Sequence, residues 1–427
     1  MFNINKGILR RIKTLVIIVL GVLAVYQTGR LWFVNITNRS FFVYFAALFD
    51  APAPDGYTDI VRPMRVVFGN GDGRFDMRYG VNEPTADNAI AEILRRGDFV
   101  GTSDAAPTLN AALRGPIVLY EYAFTVNSDI FAPAFNSRTG AALTDRGLES
   151  FNAVAVVPAG VIFLDSERAW TFALPSGQFQ LPDFYIDDNL YFNATDTRIF
   201  LPRTQDGWRH NTLRMTNPYA NRLGEVQLHS VNAQVSYLFD NPAIRNPRMV
   251  DNVITISTIN TRVRYFPGNI LEYNCFRPIR RGERPDFMTD FSGALAFVNN
   301  DPHASSHDFY LAGFESRGRT HVFWFNYVIG GTEAGGFPLL TPEDGWGPTH
   351  DPLPYPIEVV VDHGRVTRYR KLAFTFGLDT LNRQTLTPGA LNIPTREGER
   401  FMLGFPAEQG AGLEIRLESR LERTDEQ

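Results

Sequence analysis

The chain contains a single cysteine, Cys275, in 427 residues, so no intrachain disulfide can form. Cys275 reads as a small strand residue rather than a reactive thiol. A long exported chain built without disulfides suits a bacterial exterior better than a eukaryotic secretory route. Lysine is nearly absent as well: Lys6, Lys13 and Lys371 stand against 38 arginines. Only Lys371 lies beyond the N-terminal flank, and no serine precedes it by three positions, which excludes a Ser-x-x-Lys acyltransferase site. His-Glu-x-x-His, Gly-x-Ser-x-Gly and Walker A sequences are missing too, so the familiar zinc-protease, serine-hydrolase and P-loop chemistries have no local signature.

Long hydrophobic runs are scarce, with one exception. Lys6, Arg10, Arg11 and Lys13 precede an apolar run from Leu15 to Tyr26; Gln27, Thr28, Gly29 and Arg30 follow, then Leu31, Trp32 and Phe33. A helix over 14–34 spans about 30 Å, the thickness of a hydrocarbon core. Arg30 would snorkel at the outer interface, with Tyr26 and Trp32 at headgroup level. The basic flank lies before the span, so the positive-inside rule sets residues 1–13 in the cytoplasm and the bulk of the chain outside. A cleaved signal peptide is the competing reading, but Val22–Thr28 supplies a poor small-x-small cleavage site. Gly21 and Ala24 would allow close approach of a second membrane helix, and Gln27 and Thr28 could hydrogen-bond across to it.

Residues 1–34 carry five of the 41 basic side chains and no acidic one, which leaves 36 basic against 46 acidic, a net of −10, for the remainder. Such an ectodomain lacks the electrostatic footprint of a nucleic-acid binder. Its length is enough for a full core in two or three domains. The pattern divides it into a juxtamembrane segment and linker (35–56), a first lobe (57–205), a second region (206–395) and a charged tail (396–427).

Strand patterns dominate. Met64–Phe68 and Arg74–Tyr79 flank Gly69-Asn-Gly-Asp-Gly73, a hairpin loop. Pro84–Arg96 reads as a helix, with Ala86, Ala89, Ile90, Ile93 and Leu94 on one face, proline at its start and Gly97 at its end. Further helices are expected at Pro107–Leu113, Leu143–Phe151 and Asp286–Asn299, with a weakly held helix at Glu414–Gln427. Strands are expected at Pro116–Val126, Glu225–Phe239, Val253–Phe266, Ile270–Cys275, His307–Glu315, Thr320–Ile329, Ile357–Val361 and Arg365–Phe376. Residues 193–222, rich in Asn, Thr, Arg and Pro, read as a boundary. Helices and strands mix without βαβ alternation, so the fold class is α+β: one N-terminal transmembrane helix, then a multi-lobed region of antiparallel sheets with a few packed helices.

Two clusters invite a metal. Asn70, Asp72 and Asp76 have the odd spacing of a calcium loop, but its twelfth position is Val81 rather than Glu. His303 and His307 are spaced i, i+4, yet Asp301–Asp308 reads as a polar loop without a third ligand. His229, His321 and His363 are isolated strand or turn residues. The expectation is no catalytic residue, no cofactor and no metal.

Several stretches carry a resemblance. They are Val25–Phe33 with Asn38–Phe42, then Val263-Arg-Tyr-Phe-Pro-Gly-Asn-Ile-Leu-Glu-Tyr-Asn274, Phe309–Phe314, Val322-Phe-Trp-Phe-Asn-Tyr-Val328 and Ile357–Tyr369. In order and spacing they resemble the YycH/YycI group of membrane-anchored regulators of Gram-positive-type bacteria. The resemblance implies a cytoplasmic tail, one membrane helix and a lobed α+β ectodomain without enzymatic activity. It implies association with the histidine kinase of a two-component system governing cell-wall metabolism, through membrane helix and ectodomain, and a paralogous regulator as a further partner. Two other classes stay open: an extracytoplasmic ligand-binding sensor, and a cell-wall hydrolase whose Asp/Glu pair has no local motif.

Overall fold

The computed structural model describes residues 60–423, apart from single positions and short stretches of which the longer are 135–142, 175–179, 279–285, 331–335, 347–350, 387–398 and 407–413. The candidate anchor, with Lys6, Arg10, Arg11, Lys13, Gly21, Ala24, Tyr26, Gln27, Thr28, Arg30 and Trp32, lies outside the described residues. Among those described, no helix is long and apolar enough to cross a membrane.

The first sheet begins with the hairpin β1 (Arg65–Asn70) and β2 (Phe75–Tyr79), followed by helix α1 (Pro84–Arg96). Then come β3 (Asp98–Asp104), α2 (Ala105–Ala112), β4 (Pro116–Asn127) and the short α3 (Ser128–Ala134). Strands β5 (Ser150–Val157), β6 (Gly160–Leu164), β7 (Arg168–Ala173), β8 (Leu190–Asp196) and β9 (Ile199–Thr204) complete it. The nine strands lie in the order β3-β7-β6-β5-β4-β1-β2-β8-β9. Helix α1 forms where the apolar spacing predicts it: Glu83 caps the Ala86 N–H, Pro84 opens the first turn, and Ala86, Ala89, Ile90, Ile93 and Leu94 are buried.

The second sheet takes β11 (Asn246–Val250), β12 (Val253–Ser257), β13 (Thr261–Phe266) and β14 (Ile270–Cys275), reached through β10 (Trp208–Thr216) and helix α4 (Leu228–Gln234). Helix α5 (Phe287–Asn300) then crosses to β15 (Asp308–Arg317), β16 (Thr320–Ile329) and β17 (Phe337–Leu340), and the hairpin β18 (Ile357–Asp362) and β19 (Arg365–Leu372) follows. The chain ends in β20 (Thr375–Leu386), β21 (Glu399–Pro406), β22 (Glu414–Ile415) and β23 (Glu418–Arg423). The order is β11-β12-β13-β14-β19-β18-β16-β17-β21-β23, with β15 on β16, and a small sheet β20-β10-β22 stands beside it. Every ladder but β17–β21 is antiparallel. The fold is thus α+β, antiparallel sheets with few helices. Asp286 caps α5 by accepting from the Thr289 N–H, and Phe291, Ala294, Leu295 and Val298 turn inward at i, i+3, i+4 and i+7.

Three local expectations are overturned. Leu143–Phe151 is no continuous helix: among its described residues only Leu143 and Thr144 are helical, Gly147 takes φ +78°, and β5 starts at Ser150, with Ala153–Val156 paired to both β4 and β6. Glu225–Phe239 is no strand but α4 and a 3-10 turn, because Val231, Val235 and Leu238 bury one side at helical spacing. Glu418–Arg423, expected to be helical, pairs antiparallel with β21. Strands β8, β9 and β10 also run through 193–222, where the composition reads as loop.

The two large sheets meet along a packed seam. Tyr79, at the end of β2, bridges to Gly336, and its ring lies 5.9 Å from Phe337. Phe124 meets Phe314 edge-on at 5.7 Å, and Arg62 Nη2 donates to the Phe309 carbonyl at 3.4 Å. Gly80 takes φ +60°, donates to the Met64 carbonyl at 3.0 Å, and faces Val328 so closely that a Cβ would fall 2.5 Å from its Cγ2.

Candidate functional site

The strands of the second sheet alternate apolar and charged residues, and the register lines the charges up. One face packs on α5, where Phe287, Phe291 and Phe297 meet Phe323, Phe325 and Tyr369. On the other, Arg264 of β13 stands opposite Glu272 of β14, Glu272 opposite Arg370 of β19, Arg370 opposite Glu358 of β18, and Glu358 opposite Trp324 of β16. Directly opposed residues share a face, so this is one row of alternating charge across four strands, ended by Trp324 on the fifth. Arg264 Nε lies 3.0 Å from Glu272 Oε1, Arg370 Nη1 lies 3.4 Å from Glu358 Oε1, and Trp324 Nε1 donates to Glu358 Oε2 at 3.1 Å. A parallel row brings Arg368, which reaches Glu272 at 3.4 Å and Asp351 at 2.5 Å. Asp351 belongs to a segment laid over the row, its carbonyl accepting from Arg370 Nη2 at 2.5 Å.

Glu272, Glu358 and Arg370 are buried under this cover. Burial pushes the Glu272 carboxyl up, but Arg264, Asn274 and Arg368 outweigh it and hold it below the usual range. A carboxylate fixed as an anion by two arginines is an acceptor and an anchor; it does not deliver protons near neutral pH.

Beneath the same sheet lies a second ionic centre. Lys371 Nζ contacts Asp301 Oδ2 at 2.6 Å, and Tyr369 donates its hydroxyl to the same oxygen at 2.8 Å. The other oxygen, Oδ1, accepts the His303 N–H at 2.9 Å, so Asp301 also closes the turn after α5. Lys371 stands 5.6 Å over the Tyr219 ring, and Tyr219 meets His303 edge-on at 5.3 Å. Burial pushes the Asp301 carboxyl up, and the ammonium and the Tyr369 hydroxyl bring it below the usual range.

A third centre joins α5 to two hairpins. Asp290 accepts the Gly364 N–H at 2.5 Å and lies 2.7 Å from His321 Nδ1. Burial raises its carboxyl, with His321 and Gly364 pulling the other way. The turn it clasps needs Gly364 at φ +73°, and a Cβ on Gly293 would strike the Gly364 carbonyl at 2.5 Å, so helix and turn touch backbone to backbone.

The metal candidates do not converge. Asn70 exchanges two hydrogen bonds with Phe184, Asp72 binds Arg74, and Asp76 binds Arg78, so the three side chains serve three separate contacts. His303 packs on Tyr219, whereas His307 lies outside the described residues. Among the described residues no group of three His, Cys, Asp or Glu could hold a metal ion. His321, isolated in sequence, joins the Asp290 centre. The signal for the charged row was present as period-two arginine in Thr261-Arg-Val-Arg-Tyr265 and Arg368-Tyr-Arg370; which strands it would join lay in the topology.

No protein-family model and no curated protein matches the chain. Among solved structures, the crystal structure of YycH from Bacillus subtilis is similar over 85% of this chain and 96% of its own, with 9% identity and a TM-score of 0.47. An uncharacterized protein from Eubacterium rectale is similar over 54% of this chain and 83% of its own, with 7% identity and a TM-score of 0.30.

Proposed function

We propose that this chain is a membrane-anchored regulator that acts outside the cytoplasm by protein contact. Its partner in this reading is the sensor histidine kinase of a two-component system controlling cell-wall metabolism. The supporting observation is where the resembling stretches lie. Val263–Asn274 forms β13 and β14, Ile357–Tyr369 forms β18 and most of β19, and Val322–Val328 and Phe309–Phe314 lie in β16 and β15. These six strands are contiguous in the second sheet, in the order β13-β14-β19-β18-β16-β15. Segments scattered over more than a hundred positions thus build one surface and its support, as expected of a shared binding unit rather than of chance similarity.

A regulator of this kind shifts its partner between two states through unequal contact with them. Two experiments test the reading. The full-length protein, purified from native membranes, should bring a histidine kinase with it; purification free of any kinase overturns the proposal. Protease added to intact, wall-stripped cells should digest everything beyond about residue 35, because the basic flank holds the N-terminus inside. Survival of the full-length chain in sealed cells overturns the topology.

A further inference from the structure

The charged row does not end at Arg264. Arg264 stands opposite Thr255 of β12, and Thr255 opposite Arg248 of β11, the last strand of the sheet. One row over, Arg262 stands opposite Ser257 and Asn274. Towards the middle of the sheet each arginine meets Glu272, Glu358 or Asp351. At this outer end the balance changes. Arg248 is exposed and makes no ion pair among the described residues; Arg262 makes none either, and its buried Nε has no hydrogen-bond partner. Two arginines therefore face outward uncompensated, on an ectodomain whose net charge is negative.

Apolar side chains lie beside them. Arg262 lies 5.0 Å over the Phe276 ring, which is 54% exposed, and Arg264 lies 5.0 Å over Phe266. Val250, 62% exposed, stands two residues from Arg248 on the same face. Arginines braced on phenylalanine rings, with Thr255 and Ser257 between them and exposed Val250 and Phe276 beside them, form the composition of a protein-binding centre. The free edge of β11 is a poor place to add a strand, because Pro247 lacks an N–H there. The face, rather than the edge, is the docking element.

We propose that the outer face of β11–β14 docks an acidic, aromatic-bearing segment of a partner protein, its carboxylates completing the pairing that Arg248 and Arg262 lack. It rests on the regulator reading only for the partner's identity, the extracytoplasmic part of the kinase. The probe is a synthetic alternating Glu-Tyr peptide, followed by fluorescence polarisation against the full-length protein in micelles. Binding should weaken with salt and fall about tenfold or more in R248E/R262E. Arg114→Glu, an exposed reversal beyond α2, should leave it unchanged. Arg248→Glu alone, on an exposed side chain outside the core, should lower it several-fold.

No peptide binding, or equal binding by all variants, overturns the proposal. So does arginine-dependent binding to phosphatidylglycerol vesicles without peptide binding, which would make the face a lipid contact. Capture of kinase separates this proposal from the one it builds on. If wild type and R248E/R262E bring down equal kinase, the face is not the contact and the proposal fails while the regulator reading stands. If neither brings down kinase but the peptide binds through the arginines, the regulator reading fails and the face remains.

Discussion

Lys371 Nζ lies 2.6 Å from Asp301 Oδ2, and neither side chain is more than 1% exposed. The chain has a single lysine beyond its N-terminal flank, and it is spent inside the core. The pair ties β19 to the turn that follows α5, and so holds the helix against the sheet whose other face carries the charged row. Removing one partner strands an uncompensated charge. Lys371→Met should therefore cost about 3–5 kcal/mol in denaturant unfolding. Adding Asp301→Asn should recover part of it, since the orphaned carboxylate is gone. A loss below about 1 kcal/mol in the single variant would show that water reaches the site.

Asp87 gives the first lobe a pH dependence of opposite sense to ordinary acid denaturation. Burial raises its carboxyl to about 6, against the Tyr120 hydroxyl donated to Oδ1 at 2.7 Å and with Glu83 adding repulsion. A carboxyl whose folded pKa lies above its unfolded value favours the native state fully below the unfolded value. That contribution is lost as pH rises through about 6. Asp87→Asn keeps the acceptor and removes the charge. It should raise stability at pH 8 by roughly 1–3 kcal/mol and flatten the decline between about pH 4 and 6. Melting curves at both ends of that range check it; an unchanged pH profile would mean the carboxyl is solvated.

Gly80 sits at the seam between the sheets. Alanine there meets both an unfavourable left-handed backbone and Val328 Cγ2 at 2.5 Å. Gly80→Ala should destabilise by about 1–3 kcal/mol. G80A/V328A should recover the steric part and leave the backbone part. If the seam opens, limited proteolysis will cut between the lobes before either lobe is degraded.

What the sequence revealed and what it hid follow one physical division. Helix α1 is legible because proline, apolar stripe and terminal glycine all agree within the 14 residues Pro84–Gly97. The hairpin around Asp362-His-Gly364 was legible for the same reason, since turn and flanking strands are local. Val231, Val235 and Leu238 read as strand because valine, tyrosine and phenylalanine favour β, and their burial at helical spacing overrides that preference. The Asp290 centre could not be seen, because Asp290, His321 and Gly364 are brought together by two hairpins and a helix. The arginines of the charged row were visible one strand at a time. Glu272 and Glu358 face Arg264 and Arg370 across local hairpins, but joining the two pairs into one row depends on β19 pairing with β14, a long-range contact that no local pattern announces.

The last prediction concerns the segment before the folded lobes. If the chain regulates a membrane kinase, residues 14–34 are in position to touch the kinase's own membrane helices. Gly21 and Ala24 permit close approach, and Gln27 and Thr28 carry the polar groups that hydrogen-bond between helices. Such a bond is worth on the order of 1 kcal/mol in membrane, enough to change a two-state ratio several-fold. Ectodomain contact would add to it by tethering, because the second contact becomes intramolecular once the first is made. Replacing 14–34 with an unrelated membrane helix should keep export and folding, weaken co-purification with the kinase, and alter expression of the kinase's target genes. Restoring only Gln27 and Thr28 in the replacement helix, at the same depth, should return part of the association. A chimera that regulates as well as the native chain would leave the lobes as the whole contact and the helix as a tether.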